Sequence, residues 1–352
     1  MNNLVILQKP AHLRHRTASL VLCIVIINCM LSALTGCNSK KLALSSPISV
    51  TDYKLNTYVQ IDSYTNVNKN VLSDALGLCD YYEHIFSRTL ETSELYKVNT
   101  QQTTAISDEL YELIELGLYY SQLSYGAFDI TIGSVSRLWD FNTDTPDVPD
   151  SSAIADALAY VDYTKVSLST DNDGTHHISI PDGYCLDLGA IAKGYIADEL
   201  AKMCEGRCTG ALLNFGGNVY VVGQKPDGSL FRVGVRDPKD TGSSLAVISM
   251  GQGTVVTSGV YERCFEKDGV FYHHILDPET GLPAETDLTS ATIVGQSSMD
   301  ADAMATALIV MGREKALAFC EEHQVEAMFI DGEDNVTCTS GFVEKYALQV
   351  QK

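Results

Sequence analysis

The chain has 352 residues, 45% of them hydrophobic and 20% charged, with 26 Gly and 9 Pro; this excludes a disordered or collagen-like chain and allows a full core with a ligand cleft. Asp and Glu number 45 against 24 Lys and Arg, a formal charge of -21, which argues against a nucleic-acid partner. A polyanionic small molecule could still bind, given a metal ion or helix N-termini to offset repulsion.

Lys9, Arg14 and Arg16 open the chain without an acid, and the run from Ala18 to Leu34 is almost wholly apolar, as in a secretory signal. Leu34-Thr35-Gly36-Cys37 resembles a bacterial lipobox. Residues 1–36 therefore read as a lipoprotein signal peptide, Cys37 as the lipidation site, and 37–50 as the lipidated cysteine and a polar tether. The competing reading is a transmembrane helix, since 17 apolar residues sit at the bottom of the spanning range. Without residues 1–36 the charge is -24, so an anionic membrane surface gives no attraction and the lipid does the tethering. The expected location is the bacterial cell membrane, lipid-anchored and facing away from the cytoplasm.

Residues 51–348 read as one globular unit without linker or repeat. Residues 53–64 alternate as a strand, Asn70 to Ser87 carries apolar residues at helical spacing, and Ser107 caps a second helix to 123. A Pro- and Asp-rich loop, 144–151, precedes a short helix, 151–160, and strand-like segments at 164–169 and 176–181. Turns at Pro226-Asp227-Gly228 and Lys267-Asp268-Gly269 indicate hairpins. The fold class is α+β, with a mixed, largely antiparallel sheet, flanking helices and a cleft.

Among the seven cysteines beyond Cys37, Cys204 and Cys208 are spaced C-x3-C; a disulfide is open to them after export, while a zinc site lacks its second pair.

Five segments carry candidate chemistry. Tyr125 to Gly133 places Phe128 and Asp129 at an element edge, where a ring could stack on a flat ligand and a carboxylate accept from it; a core Phe beside a turn Asp is the plainer alternative. Leu186-Asp187-Leu188-Gly189-Ala190-Ile191-Ala192-Lys193-Gly194-Tyr195 brings a strand end into a small-residue turn and a helix, with Lys193 one turn in, a suitable phosphate cradle. Asn214-Phe215-Gly216-Gly217-Asn218 implies a bulge or a close backbone approach to a ligand. Ser258-Gly259-Val260-Tyr261-Glu262-Arg263 and His273-His274-Ile275-Leu276-Asp277-Pro278 fall on neighbouring strands, and one histidine could act as a general base, although a strand histidine more often satisfies a backbone group. In Ser297 to Gly312 a serine caps a helix that runs to a glycine stop, and Asp302 and Thr306, four apart, share a face suited to Mg2+ or Ca2+.

Taken in order, these motifs resemble the ApbE family, the FAD:protein FMN transferases, over roughly residues 53–345; Ser93-Glu94-Leu95 and Val98-Asn99 resemble its early segment. The resemblance implies FAD contacts at Leu55, Ala127, Phe128, Asp129, Asp187, Lys193 and Ile275, and Mg2+ ligands at the Ala190 carbonyl, Asp302 and Thr306. It also implies His274 as the base. One departure is visible: relatives usually carry Met-Gly-Thr where this chain reads Leu55-Asn56-Thr57. The implied reaction moves FMN from FAD to a Ser or Thr hydroxyl of an acceptor flavoprotein of the cell envelope, typically within Asp-Gly-x-Ser/Thr-Gly-Ala-Thr. AMP is released, and Mg2+ neutralises the diphosphate. Water in place of the hydroxyl would make the protein an FAD pyrophosphatase giving FMN and AMP, and loss of turnover would leave a lipid-tethered flavin carrier.

Overall fold

In the computed structural model, residues 43–65, 67, 69–240 and 242–351 are described, so the signal segment, whose apolar run also carries the membrane-span reading, and Cys37 lie outside them. Strands β1 (Ala43–Lys54) and β2 (Thr57–Thr65) form the first hairpin. Two expectations shift here. Residues 43–50, read as tether, already belong to β1, where Val50 is buried against the helices. The single strand read at 53–64 is the end of β1, a turn at Leu55-Asn56, and β2. Both turn residues have left-handed φ, 54° and 59°. Asn tolerates that region, which explains how it replaces a glycine there.

Helix α1 (Lys69–Phe86) follows, then α2 (Glu94–Asn99), β3 (Ala105–Ile106) and α3 (Asp108–Leu123). Ser93 and Ser107 cap α2 and α3 by accepting from the amides of Tyr96 and Leu110. Beyond α4 (Gly133–Ser136) and α5 (Ser151–Leu158), strands β4 (Ser167–Thr170) and β5 (His176–Ser179) pair beside β3. Helix α6 (Ala192–Cys204) feeds β6 (Gly210–Phe215) and β7 (Asn218–Gly223), and the Gly216-Gly217 pair is their hairpin turn rather than a bulge within one strand. The Pro226-Asp227-Gly228 turn leads to β8 (Phe231–Arg236), which pairs with β9 (Ser244–Met250) in a different sheet, so no hairpin forms there. The chain returns through β10 (Gly253–Gly259) to the hairpin β11 (Cys264–Lys267) and β12 (Val270–His273), turned at Asp268-Gly269 as expected. Strand β13 (Leu288–Gly295), helix α7 (Ser298–His323), β14 (Glu326–Asp331), β15 (Val336–Cys338), α8 (Ser340–Lys345) and β16 (Ala347–Val350) complete it. Gly312 breaks α7 with φ 72°, but a second helical run follows instead of a stop, its Arg313 amide capped by Asp287 Oδ1 at 2.9 Å.

The main sheet has the order β1-β2-β6-β7-β10-β13-β14-β15, and each of its pairings is antiparallel. The parallel part of the expected sheet is, among the described residues, the isolated bridge of Ile132 with Cys185. Strand alternation sends Ile61, Leu213, Ile293 and Phe329 to the face covered by helices. Val221, Val255, Val294 and Met328 face the other way, onto the three-stranded sheet β16-β9-β8. A side cluster of Val135, Trp139, Ile154, Ala157 and Leu276 packs with Phe265 and Tyr272 of the β11–β12 hairpin. Cys204 and Cys208 are both buried, and they meet as hydrogen-bonded thiols rather than as a disulfide. Among the described residues no helix is long and apolar enough to cross a membrane.

Candidate active site

The starts of α6 and α7 cross so closely that a Cβ on Gly194 would lie 2.3 Å from the Ser298 carbonyl oxygen. Each helix caps the other. Asp302 Oδ2 of α7 accepts from the Gly194 amide at 3.0 Å, and Asp198 of α6 accepts from the Ser298 and Met299 amides at 2.8 and 3.1 Å. Each carboxylate thus satisfies an orphan amide of the other helix and sits at the positive end of its dipole. Burial raises the pKa of Asp198, against these hydrogen bonds.

Asp302 is 3% exposed, and Lys193 Nζ stands 3.4 and 3.5 Å from its two carboxylate oxygens. Lys193 is the second residue of α6, nearer its start than the sequence placed it, and it also donates to the Gly189 carbonyl at 3.1 Å. Thr306 Oγ1 lies 3.4 Å from the Asp302 carbonyl oxygen and 3.4 Å from Ser258 Oγ at the end of β10. One carboxylate, one hydroxyl and the Gly189 carbonyl form a set of hard oxygens, with the Lys193 ammonium already drawn to it; the Ala190 carbonyl follows Gly189 in the same turn. That set fits Mg2+, which takes one or two carboxylates and leaves its other positions to water and phosphate. No cluster of three or more His, Cys, Asp or Glu side chains that could hold a metal ion occurs among the described residues.

The expected flavin contacts extend from here. Asp187 accepts from the Gly189 amide at 2.9 Å, Ser136 Oγ at 2.8 Å and Arg88 Nε at 3.1 Å. Asn99 holds this segment in place, donating to the Leu186 carbonyl and accepting from its amide. The Asp187 amide donates to the Ile130 carbonyl, joining the segment to the loop of Ala127, Phe128 and Asp129. Ala127 is half-buried at the edge of the core. Phe128 is inside that core, and Asp129 turns into its own loop, accepting from the Thr131 amide and hydroxyl and the Tyr163 amide. The plainer reading of these two residues therefore describes their side chains. Burial raises the Asp129 pKa, opposed by the same three bonds. Leu55 packs against the main core beside Thr57, and a Cβ on Gly216, whose φ is 66°, would collide with Thr57 Oγ1. The glycine turn is thus a close backbone approach to the β1–β2 turn. Gly217 O in turn accepts from the Thr257 amide, which links Leu55 to the Ser258–Thr306 contact.

His273 and His274 differ sharply. His273 bonds the Ala284 carbonyl through Nε2 at 3.2 Å, which is the structural role expected of an arbitrary strand histidine. His274 Nδ1 is buried with no hydrogen-bond partner among the described residues. Its pKa is pushed down to about 3 by burial first, then by the positive charges of Arg263, Lys193 and His273. Ile275, next in the chain, shares an apolar cluster with Val256, Ala301 and Ala305, at the first turns of α7. Trp139 Nε1 donates to the Gly281 carbonyl at 3.2 Å and pins the loop that follows.

The ApbE family model matches residues 51–329. The chain belongs to the ApbE family. It is 38% identical over 291 residues to the FAD:protein FMN transferase of Treponema pallidum, covering 78% of this chain and 80% of that one. It is 30% identical over 305 residues to the enzyme of the same name from Vibrio cholerae, covering 84% and 90%. Among solved structures, the ApbE protein of Thermotoga maritima superposes with a TM-score of 0.77 at 30% identity, over 85% of this chain and 98% of that one. The Vibrio cholerae flavin transferase ApbE gives 0.74 at 26% identity, over 85% and 98%.

Within this ApbE fold, sequence reasoning missed Asp198 and Arg88, and it named the segment that begins at Ser258 without giving Ser258 a role. Asp198 had a signal available, an acid whose neighbours three residues to either side on the helix, Tyr195 and Ala201, are apolar. Arg88 and Ser258 had none, because their partners are 99 and 48 residues away.

Proposed function

We propose that this chain is an FAD:protein FMN transferase, joining FMN through a phosphoester to a Ser or Thr hydroxyl of an acceptor protein and releasing AMP. The observation that carries the reading is His274: a half-buried imidazole that burial keeps uncharged, its Nδ1 without a hydrogen-bond partner among the described residues, feeling the charges of Lys193 and Arg263, with Asp302 held beside Lys193. Asp302, Thr306 and the Ala190 carbonyl would hold Mg2+, which when bound supplies charge neutralisation and polarisation at the diphosphate. Lys193 and the turn before α6 bind the diphosphate, and Asp187 and Leu55, with Ala127, Phe128, Asp129 and Ile275 around them, orient the FAD. Since Phe128 and Asp129 are turned inward, their loop would act through its backbone and shape. His274 takes the proton of the acceptor hydroxyl. An anionic substrate beside the imidazole raises its basicity from the low value of the empty site.

The same proposal places the protein outside the cytoplasm, lipid-anchored at Cys37 on the bacterial membrane, with an envelope flavoprotein as acceptor. The lipobox and the signal-like start support it.

The test incubates the full chain in detergent with FAD and Mg2+, with and without an acceptor domain carrying Asp-Gly-x-Ser/Thr-Gly-Ala-Thr, and follows acceptor mass and AMP. One FMN gained per acceptor, lost in His274→Ala and Asp302→Ala, is the expected result. AMP and free FMN without acceptor modification would mean a pyrophosphatase, and bound FAD without AMP a carrier.

A further inference from the structure

The hairpin β11–β12 pairs Cys264 with His273, and the His274 amide donates to the Arg263 carbonyl at 3.0 Å, which continues the register by one pair. Arg263 and His274 therefore stand opposite each other at the base of the hairpin. Opposed residues send their side chains to one face, with Cβ atoms about 5 Å apart. Cys264 and His273 occupy the other face. Arg263 is half-buried, yet its guanidinium makes no hydrogen bond or ion pair with any described residue. In a chain with 45 acidic residues, that is a conspicuous omission. Lys193, the other cation near His274, is already engaged by Asp302 and Gly189 O. A half-buried guanidinium presents five donors in a planar fork suited to phosphate oxygens, and desolvating it without an anion is costly.

We infer that Arg263 is a catalytic residue of the transfer, its guanidinium gripping the non-bridging oxygens of the phosphorus under attack on the riboflavin side of FAD. The inference rests on the transferase reading. The attacking hydroxyl must lie against both His274 and that phosphorus, so a cation on His274's own face reaches the transferred phosphoryl group. In the step, the acceptor oxygen forms a bond to this phosphorus, and its proton passes to His274 and then to solvent. The bond from phosphorus to the bridging oxygen breaks, and AMP leaves with that electron pair. Arg263 holds the charge that gathers on the phosphoryl oxygens and remains unchanged.

The experiment compares the full chain in detergent with its Arg263→Gln, Arg263→Lys and Arg263→Ala variants, using FAD, Mg2+ and the acceptor domain. Acceptor mass, AMP release, flavin fluorescence on binding and thermal melting are recorded. Arg263→Gln should lower kcat about 10²- to 10³-fold, the loss typical of one preorganised donor, while KM for FAD rises less than about tenfold and melting is unchanged. Arg263→Lys should recover part of the rate, and added guanidinium ion should partly restore Arg263→Ala, which a packing role would not permit. Arg263→Gln turning over within about threefold of the parent would overturn the inference alone, while the transferase reading stood. Joint loss of melting temperature and FAD binding in both Gln and Lys variants would overturn it too, assigning Arg263 to the fold. A parent chain that leaves the acceptor unmodified would remove the transferase reading and this inference with it.

Discussion

The crossing of α6 and α7 and the base of the β11–β12 hairpin form two halves of one site, built on opposite terms. At the crossing, polar groups answer one another: Asp302 with the Gly194 amide and Lys193, Asp198 with the Ser298 and Met299 amides. At the hairpin base they do not. Nδ1 of both His273 and His274 and the Tyr261 hydroxyl are buried without partners among the described residues, and Arg263 has none either. A self-satisfied half can hold its geometry before any ligand arrives. Unsatisfied buried groups cost free energy, and they persist where a ligand supplies the missing partner. The molecule thus separates a prebuilt anchor from a reacting end that substrate completes.

The largest effect that would sharpen this contrast is catalytic. His274→Ala should reduce FMN transfer by about 10²- to 10⁴-fold, the usual share of a positioned base, with melting unchanged or raised because a poorly paired imidazole is removed. Asp302→Ala should abolish transfer as well but also lower stability by about 1–3 kcal/mol, since it leaves the Gly194 amide unpaired; urea unfolding separates the two. Equal stability losses in both variants would break the distinction. Next comes Gly194→Ala, whose methyl group meets the Ser298 carbonyl and must push the helix starts apart. A loss of about 1–3 kcal/mol is expected, with transfer falling alongside it as Asp302 moves from Lys193.

A smaller effect is expected from pH. Burial lowers the pKa of both His273 and His274 below that of an unfolded histidine, His274 to about 3. The unfolded chain therefore binds more protons as pH falls below about 6.5, so stability present above that value is lost progressively on acidification. His274→Gln should flatten the loss between about pH 6 and 4, measured by urea midpoints; an unchanged slope would show that the hairpin base is not what acid attacks. The smallest effect is Asn56→Gly. Both residues accept the left-handed turn, so stability should shift by no more than about 0.5 kcal/mol and transfer should be unchanged.

Much of this was legible in the chain. Apolar spacing marks α1 and α3 almost to the residue, Ser107 and Ser297 announce their helices, and Asp268-Gly269 announces its hairpin, because caps and turns depend on neighbours a few residues apart. The ordered motifs carried the family and the candidate residues. Periodicity could not find the Leu55-Asn56 turn, since two paired strands on either side of a two-residue turn read as one alternating run. It also could not see that the chain changes sheets after Gly228.

The sequence by itself determined the local elements and the residue types of the site, through short-range sterics, capping and hydrophobic spacing. Tertiary structure alone decided which of them meet. Lys193 reaches Asp302 across 109 residues, Arg88 reaches Asp187 across 99, and Asp198 caps a helix 100 residues on. It also decided between two adjacent histidines: strand alternation turns His273 to a backbone carbonyl and leaves His274 on Arg263's side, its Nδ1 unpartnered among the described residues, a choice made by the packing around the hairpin.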